Sequence, residues 1–236
     1  MKYKKSKGSC YLYLLLCILL WASIPVVTKN IQLELDNVQT LFYSTVLSFI
    51  TLGVIFLSGS KHKELSKYSI KQYLQMFVMG MLGNFLYYIL LYEALKRTSA
   101  SEGFILAYTW PMLVLILSFF ILKEKYSHKK LAGVLISFSG IIIITLKGNV
   151  TDIVLTSISG NVLALAGALV FALFSVLGKK YRFDNVISVF VYFASALACL
   201  IPTVLLFSRL SIPSIKTCIY IAFNGIFVNG VSYILV

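Results

Sequence analysis

Six side chains in this 236-residue sequence have the types and spacing to hold a small polar molecule in an apolar setting. Gly80, Asn84 and Tyr88 recur every four residues, so on a helix they form one stripe. Gly225, Asn229 and Tyr233 repeat that spacing. Trp21 and Trp110 each stand near a proline, with Pro25 four residues beyond the first and Pro111 next to the second. An amide offers a donor and an acceptor, while indole and phenol rings offer flat apolar faces with one polar edge. This is the chemistry of binding an amphipathic molecule. Bond-breaking chemistry is not expected: there is no HExxH, no GxSxG, no His with an Asp five residues on and no pair of aspartates within an apolar run. Nor is a cofactor or metal site expected. Cys10, Cys17, Cys199 and Cys218 lack paired metal-ligand spacing and mostly read as small packing residues, and His62 and His128 fall in charged, solvated loops.

The elements that must position these side chains follow from the charge pattern. The chain is 59% apolar and only 12% charged, and its charges gather in short clusters between long uncharged runs. Runs of this length fit helices that cross a hydrocarbon core, since about 20 residues at 1.5 Å each span ~30 Å. Eight spans are expected: 9–28, 37–58, 72–92, 103–122, 131–146, 157–178, 185–207 and 217–236. The first uncharged run, Gly8 to Thr28, exceeds a signal-peptide core and reads as an uncleaved helix. Most of the 21 basic residues fall on one side if the N-terminus is cytoplasmic: Lys2, Lys4, Lys5 and Lys7; Lys61, Lys63, Lys67 and Lys71; Lys123, Lys125, Lys129 and Lys130; and Lys179, Lys180 and Arg182. Lys29, Lys96, Arg97, Lys147, Arg209 and Lys216 fall on the other. The net charge of +13 is thus a topology signal, and nucleic acid is not an expected partner.

The sequence also repeats. Trp21-Ala22 aligns with Phe171-Ala172, Asp36-Asn37-Val38 with Asp184-Asn185-Val186, and Gly80, Asn84 and Tyr88 with Gly225, Asn229 and Tyr233. The unit is five helices, an odd number, so the second copy runs inverted, an arrangement typical of secondary transporters. The copies are 1–147 and an incomplete 148–236, so eight of ten helices are present.

Asn84 and Asn229 each lie about 12 residues, or ~18 Å, into their spans. An amide at that depth either lines a cavity or bonds one helix to another. Trp21 likewise either packs or forms an aromatic wall. Pro111 frees the carbonyl of Ala107, which calls for a kink facing the bundle interior. Tyr108 and Trp110 stand ~200° apart on an ideal helix, so both face one cavity only if the proline distorts the turn. Ala164, Ala168 and Ala172 on the sixth span, and Ala132, Gly133, Ile136, Ser137 and Gly140 on the fifth, read as packing ridges. Glu93 and Glu102 read as a solvated pair with Lys96 and Arg97, or as carriers of a coupling proton; Glu124 reads as an interfacial charge.

The stretch Gly83 to Thr145 resembles the EamA-type domain of the drug/metabolite transporter superfamily. It carries the link ALKRTSAS, a proline inside the next helix, Glu124 at that helix's inner end, a basic link, and Gly133 and Gly140. The stretch AYTWP, 107–111, is also similar to the aromatic amino-acid exporter branch. The resemblance implies a ten-helix inverted repeat in the cell membrane, with a cytoplasmic N-terminus and a central cavity exporting amino acids or other small metabolites. The last two family helices would follow Val236. Two readings stand: a permease working by alternating access, or a truncated remnant or half of a split carrier. The expected partners are the small-molecule substrate, the lipid bilayer, and a second copy or another chain supplying two helices.

Overall fold

A backbone in hydrocarbon must satisfy its own N–H and C=O groups, and for single apolar segments the helix does so locally. The computed structural model describes residues 7–125, 127–145 and 157–235. Its helices, in chain order, are α1 (Lys7–Ala22), α2 (Ile24–Ile31), α3 (Asn37–Ser58), α4 (Ile70–Gly80), α5 (Tyr87–Arg97), α6 (Ala100–Ala107), α7 (Trp110–Leu122), α8 (His128–Thr145), α9 (Ile158–Tyr181), α10 (Asn185–Phe207), α11 (Ile215–Ala222) and α12 (Ser232–Leu235). A 3₁₀ turn covers Lys61–Lys67, and π-helical segments cover Met81–Leu86 and Phe223–Val231. No strand occurs among the described residues. Lys2, Lys4, Lys5, Lys147 and Val236 lie outside the described residues, as do the side chains of Lys7, Cys10 and Pro25.

Among the described residues seven spans are long and apolar enough to cross a membrane: Tyr11–Ile31, Asn37–Ser58, Ile70–Arg97, Ile105–Leu122, Ile158–Tyr181, Asn185–Phe207 and Ile215–Leu235. The span expected at 131–146 falls on the helix α8, His128–Thr145, and its last position lies outside the described residues.

The chain divides into two compact units, one of residues 1–80 and 184–236, the other of residues 81–183. Each unit takes residues from both sides of the boundary expected at 147/148.

In the first unit α3 and α10 lie antiparallel, and each begins at an aspartate. Asp36 accepts from Gln39 N at 2.9 Å, and Gln39 returns a bond to the Asp36 N–H, a capping box that satisfies two free donors. Asp184 accepts from Ile187 N at 3.2 Å. Each aspartate also meets the chain leaving the other helix. Ser208 donates to Asp36, and Lys61 Nζ lies 2.8 Å from Asp184 Oδ2. Burial pushes the Asp184 carboxyl up, but the Lys61 ammonium and the helix N–H groups together hold it below its ordinary value. Between these ends Phe190 stacks on Phe49 and Phe56, beside buried Leu52, Val189 and Phe193.

Two glycines let backbones meet in this unit. A β-carbon on Gly80 would stand 2.6 Å from Tyr192 Cα and 2.9 Å from Ser195 Cβ. One on Gly225 would stand 2.6 Å from Leu47 Cβ and 2.8 Å from the Ser44 carbonyl oxygen. All four distances are below any normal contact, so only glycine fits.

The second unit is built on α9, whose Ala164, Ala168 and Ala172 are buried. Gly83 faces the ring of Phe174, and Gly160 faces Thr98, each too close for a β-carbon. The ridge expected on the fifth span is not packed: Ala132, Gly133, Ile136 and Ser137 on α8 are exposed, Ile136 at 73%, and Gly140 is only half-buried. A run of small residues packs only where a second helix comes close, and this face of α8 has no such neighbour among the described residues.

Candidate functional site

Two prolines interrupt the spans that carry the tryptophans. α1 ends at Ala22, and α2 starts at Ile24 with Pro25 in its first turn. α6 ends at Ala107, and α7 starts at Trp110 with Pro111 next. A proline lacks the N–H that would reach the carbonyl four residues back. In each case the hydroxyl residue two positions before the proline turns back along the chain. Ser23 Oγ donates to Leu20 O at 2.6 Å, and Thr109 Oγ1 donates to Leu106 O at 2.7 Å. Ala107, whose carbonyl Pro111 frees, is buried within the second unit.

The break at Tyr108–Thr109 alters the geometry of its neighbours. In the second unit a cavity of about 700 Å³ lies among α7, α8 and α9, and both Tyr108 and Trp110 line it. An unbroken helix would have sent them to opposite sides. Trp110 meets the ring of Phe171 edge-on with centroids 5.0 Å apart, and Phe171 lies 4.6 Å from Tyr87. Tyr88 packs edge-on against Tyr87 at 5.0 Å and lies 5.8 Å from Tyr92. Phe171 is thus a hub that sequence reasoning did not single out, although the repeat alignment places it at the position of Trp21.

Asn84 sits in the π-helical segment Met81–Leu86 and is 3% exposed. Neither its amide nitrogen nor its amide oxygen has a hydrogen-bond partner among the described residues. Burying an amide unpaired costs roughly 1–3 kcal/mol, so such groups are rare in native interiors. π-helical turns inside α-helices also concentrate at functional sites.

In the first unit Trp21 Nε1 donates to Ser232 Oγ at 2.9 Å, and its ring meets Tyr233 edge-on at 6.2 Å. Tyr233 in turn meets Phe193 at 5.5 Å. The structure thus brings Trp21 and Tyr233 together and adds Ser232. Asn229 is half-buried in the second π-helical segment. Five residues earlier, Asn224 is buried and donates to Ser44 Oγ at 3.0 Å, which ties it to α3. Asn224 therefore takes the helix-joining role that the sequence left open for Asn229.

The carboxylates part company. Glu93 is ion-paired with Arg97 at 2.7 Å on an exposed helix turn. Glu102, which the sequence left as either a member of a solvated pair or a proton carrier, is buried at 7% exposure, where Asn161 Nδ2 donates to it at 2.5 Å. Its placement in the first turn of α6 carries it into the unit, against α9. Glu124 is paired with Lys179 and, at 3.1 Å, with Lys130; these two ammonium groups hold its carboxyl below the usual range. His62 and His128 are exposed, Cys17 is buried and Cys218 exposed. No cluster of His, Cys, Asp and Glu suited to a metal occurs among the described residues.

The model of the EamA-like transporter family matches residues 8–146. An uncharacterized transporter of Archaeoglobus fulgidus is 30% identical over 199 residues, 83% of this chain and 67% of that protein. The aromatic amino acid exporter YddG of Ancylobacter novellus is 23% identical over 177 residues, 75% of this chain and 60% of the exporter. A solved crystal structure superposes with a TM-score of 0.78 at 20% identity, over 98% of this chain and 78% of that one, which shows a shared fold. These matches, together with seven apolar spans among the described residues, make this chain a multi-pass membrane protein of the EamA-like transporter family.

Proposed function

We propose that the protein is a secondary permease of the cell membrane that exports amino acids or similar small metabolites by alternating access, with its N-terminus cytoplasmic. The observation that carries this reading is Asn84: a deeply buried amide with both polar atoms unpaired, in a π-helical turn one helical step from the tyrosines of α5. An amino acid needs both an amide-like partner for its polar head and a flat apolar surface for its side chain. The substrate contacts are assigned to Asn84, Tyr88 and Trp110 in the second unit and to Trp21, Asn229 and Tyr233 in the first, with Pro25 and Pro111 as the points where their helices bend. The distant relative YddG, an aromatic amino acid exporter, supports this reading.

An inverted five-helix repeat is part of this reading, and paired contacts support it. Shifting Ser44 and Leu47 by 148 positions gives Tyr192 and Ser195, the residues that Gly80 touches as Gly225 touches the first two. Both copies also carry a π-helical segment at the matching place, in the third and the last span. The test is counterflow in proteoliposomes over a panel of labelled amino acids. Exchange above empty liposomes for one chemical class, reduced about tenfold in Asn84→Ala as expected for ~1.4 kcal/mol of lost binding, is the expected result. Flux equal to empty liposomes across the whole panel would overturn the proposal.

A further inference from the structure

The exposed small-residue face of α8 borders a groove. β-carbons added at Gly133 or Gly140 would meet no atom within 4 Å, in contrast to those at Gly80, Gly83 or Gly225. Gly133 and Ser137 line the cavity of about 700 Å³ in the second unit. Its two ends differ in chemistry. At one end stand Tyr108 and Trp110, and the wall between α7 and α8 is apolar, with Phe119, Phe138 and Ile141. At the other end Lys125, Lys129, Lys130 and Lys179 surround a single acid, Glu124. Both oxygens of Glu124 are engaged by Lys130 and Lys179. Lys125 and Lys129 have no acidic partner among the described residues. This cationic end lies just past the end of the span Ile105–Leu122, at the level where hydrocarbon gives way to headgroups.

We propose that this cavity is a binding site for an anionic phospholipid, with its phosphate among the four lysines and an acyl chain along the apolar wall. Charge selects this occupant. A neutral phospholipid brings no net charge to a mouth that holds four lysines and one acid. A second copy of the chain, docked by the same face, would set lysine against lysine. A small soluble anion would leave the apolar wall uncovered. Basic pockets between membrane helices recognise anionic headgroups by this same combination. The site shares Trp110 with the assigned substrate contacts, and lipid quenching tests it separately from transport.

The sequence holds two tryptophans, so Trp21→Phe leaves Trp110, at the apolar end of the cavity, as the single indole reporter. The protein is reconstituted in phosphatidylcholine nanodiscs in which either phosphatidylglycerol or phosphatidylcholine carries brominated chains, and indole quenching is followed against the brominated fraction. The brominated phosphatidylglycerol should quench at a lower fraction than the brominated phosphatidylcholine. Lys125→Gln with Lys129→Gln should shift its curve toward the phosphatidylcholine curve, by about fivefold in affinity for each lysine. Lys71→Gln, in α4 of the other unit, should leave it in place, and unchanged phosphatidylcholine quenching certifies that the variants fold. Equal quenching by the two lipids, or a preference that survives the double substitution, would overturn the proposal. So would relief of quenching by water-soluble glycerol phosphate, which marks a site for free anions, or quenching that changes with the number of protein copies per disc, which marks a second copy.

Discussion

Gly80 rests on the backbone of Tyr192, and the contact leaves no room for a side chain. Its β-carbon would fall 2.6 Å from Tyr192 Cα and nearer still to the carbonyl oxygen. Gly225 makes the corresponding contact on Ser44 and Leu47. Backbone cannot retreat as a flexible side chain can, so α4 and the last span are pinned to α10 and α3 at these points.

Alanine at either glycine should therefore be costly. Gly80→Ala and Gly225→Ala should each destabilise by about 1–3 kcal/mol, the usual penalty of overpacking. Gly133→Ala and Gly140→Ala, where a β-carbon meets open space, should stay within about 0.5 kcal/mol of the parent or gain from helix propensity. Thermal unfolding of the four purified variants checks this. A Gly140→Ala loss as large as that of Gly80→Ala would mean that α8 is packed after all.

The pairing of Lys61 with Asp184 makes a pH-dependent contribution. The Asp184 carboxyl is held below its ordinary value, so the stabilisation is complete above the unfolded-state value near 3.9 and is lost as pH falls through the lower folded value. Asp184→Asn can still cap α10 but cannot attract the Lys61 ammonium. Its deficit against the parent should be modest, about 1 kcal/mol or less for a partly exposed pair, and should shrink as pH falls through that lower folded value. Melting temperatures of both proteins between pH 3 and 7 test it; a gap that widens on acidification would reverse the sign. The Lys61 ammonium is raised above its ordinary value by the same bond to Asp184 and by Glu64, so its share is lost only at strongly alkaline pH.

Glu93 and Glu102 look alike in sequence, nine residues apart and flanking one basic link. Burial separates them. Asn161→Ala removes the donor from the buried Glu102 carboxyl and should cost about 1–3 kcal/mol. Glu93→Ala removes only an exposed turn-to-turn pair with Arg97 and should cost about 0.5 kcal/mol or less. Chemical or thermal unfolding of the two variants side by side gives the ranking, and equal losses would contradict the burial of Glu102.

How far the sequence reveals these features depends on the range of the interaction. The apolar runs were legible because hydrocarbon thickness sets their length, and the breaks near Pro25 and Pro111 because a missing N–H is a local defect. The capping aspartates were visible only as repeat partners, Asp36 and Asp184. The π-helical turns were not visible: one extra residue in a turn leaves the apolar composition unchanged. That Tyr108 and Trp110 share one cavity needed the actual course of the chain at Thr109. The α8 ridge was misread, and Glu102 left open, for a common reason. Small residues and a carboxylate signal what they can do, while a neighbouring helix decides whether they do it.

Asn84 allows a test that separates binding from packing. If its amide joined helices, a partner would be near, and replacing it would loosen the fold. Its two polar atoms have no such partner among the described residues. Asn84→Leu keeps a similar shape and removes the cost of two unpaired polar atoms in the interior, so the melting temperature should hold or rise. The same substitution deletes the donor and acceptor assigned to substrate, so counterflow should fall about tenfold or more, with the loss in apparent affinity if the contact forms in the bound ground state. Asn224→Leu is the comparison: it breaks a bond to Ser44 in the interior and should lower stability by about 1–3 kcal/mol. A destabilised Asn84→Leu with unchanged exchange would assign this residue to packing and remove it from the transport pathway.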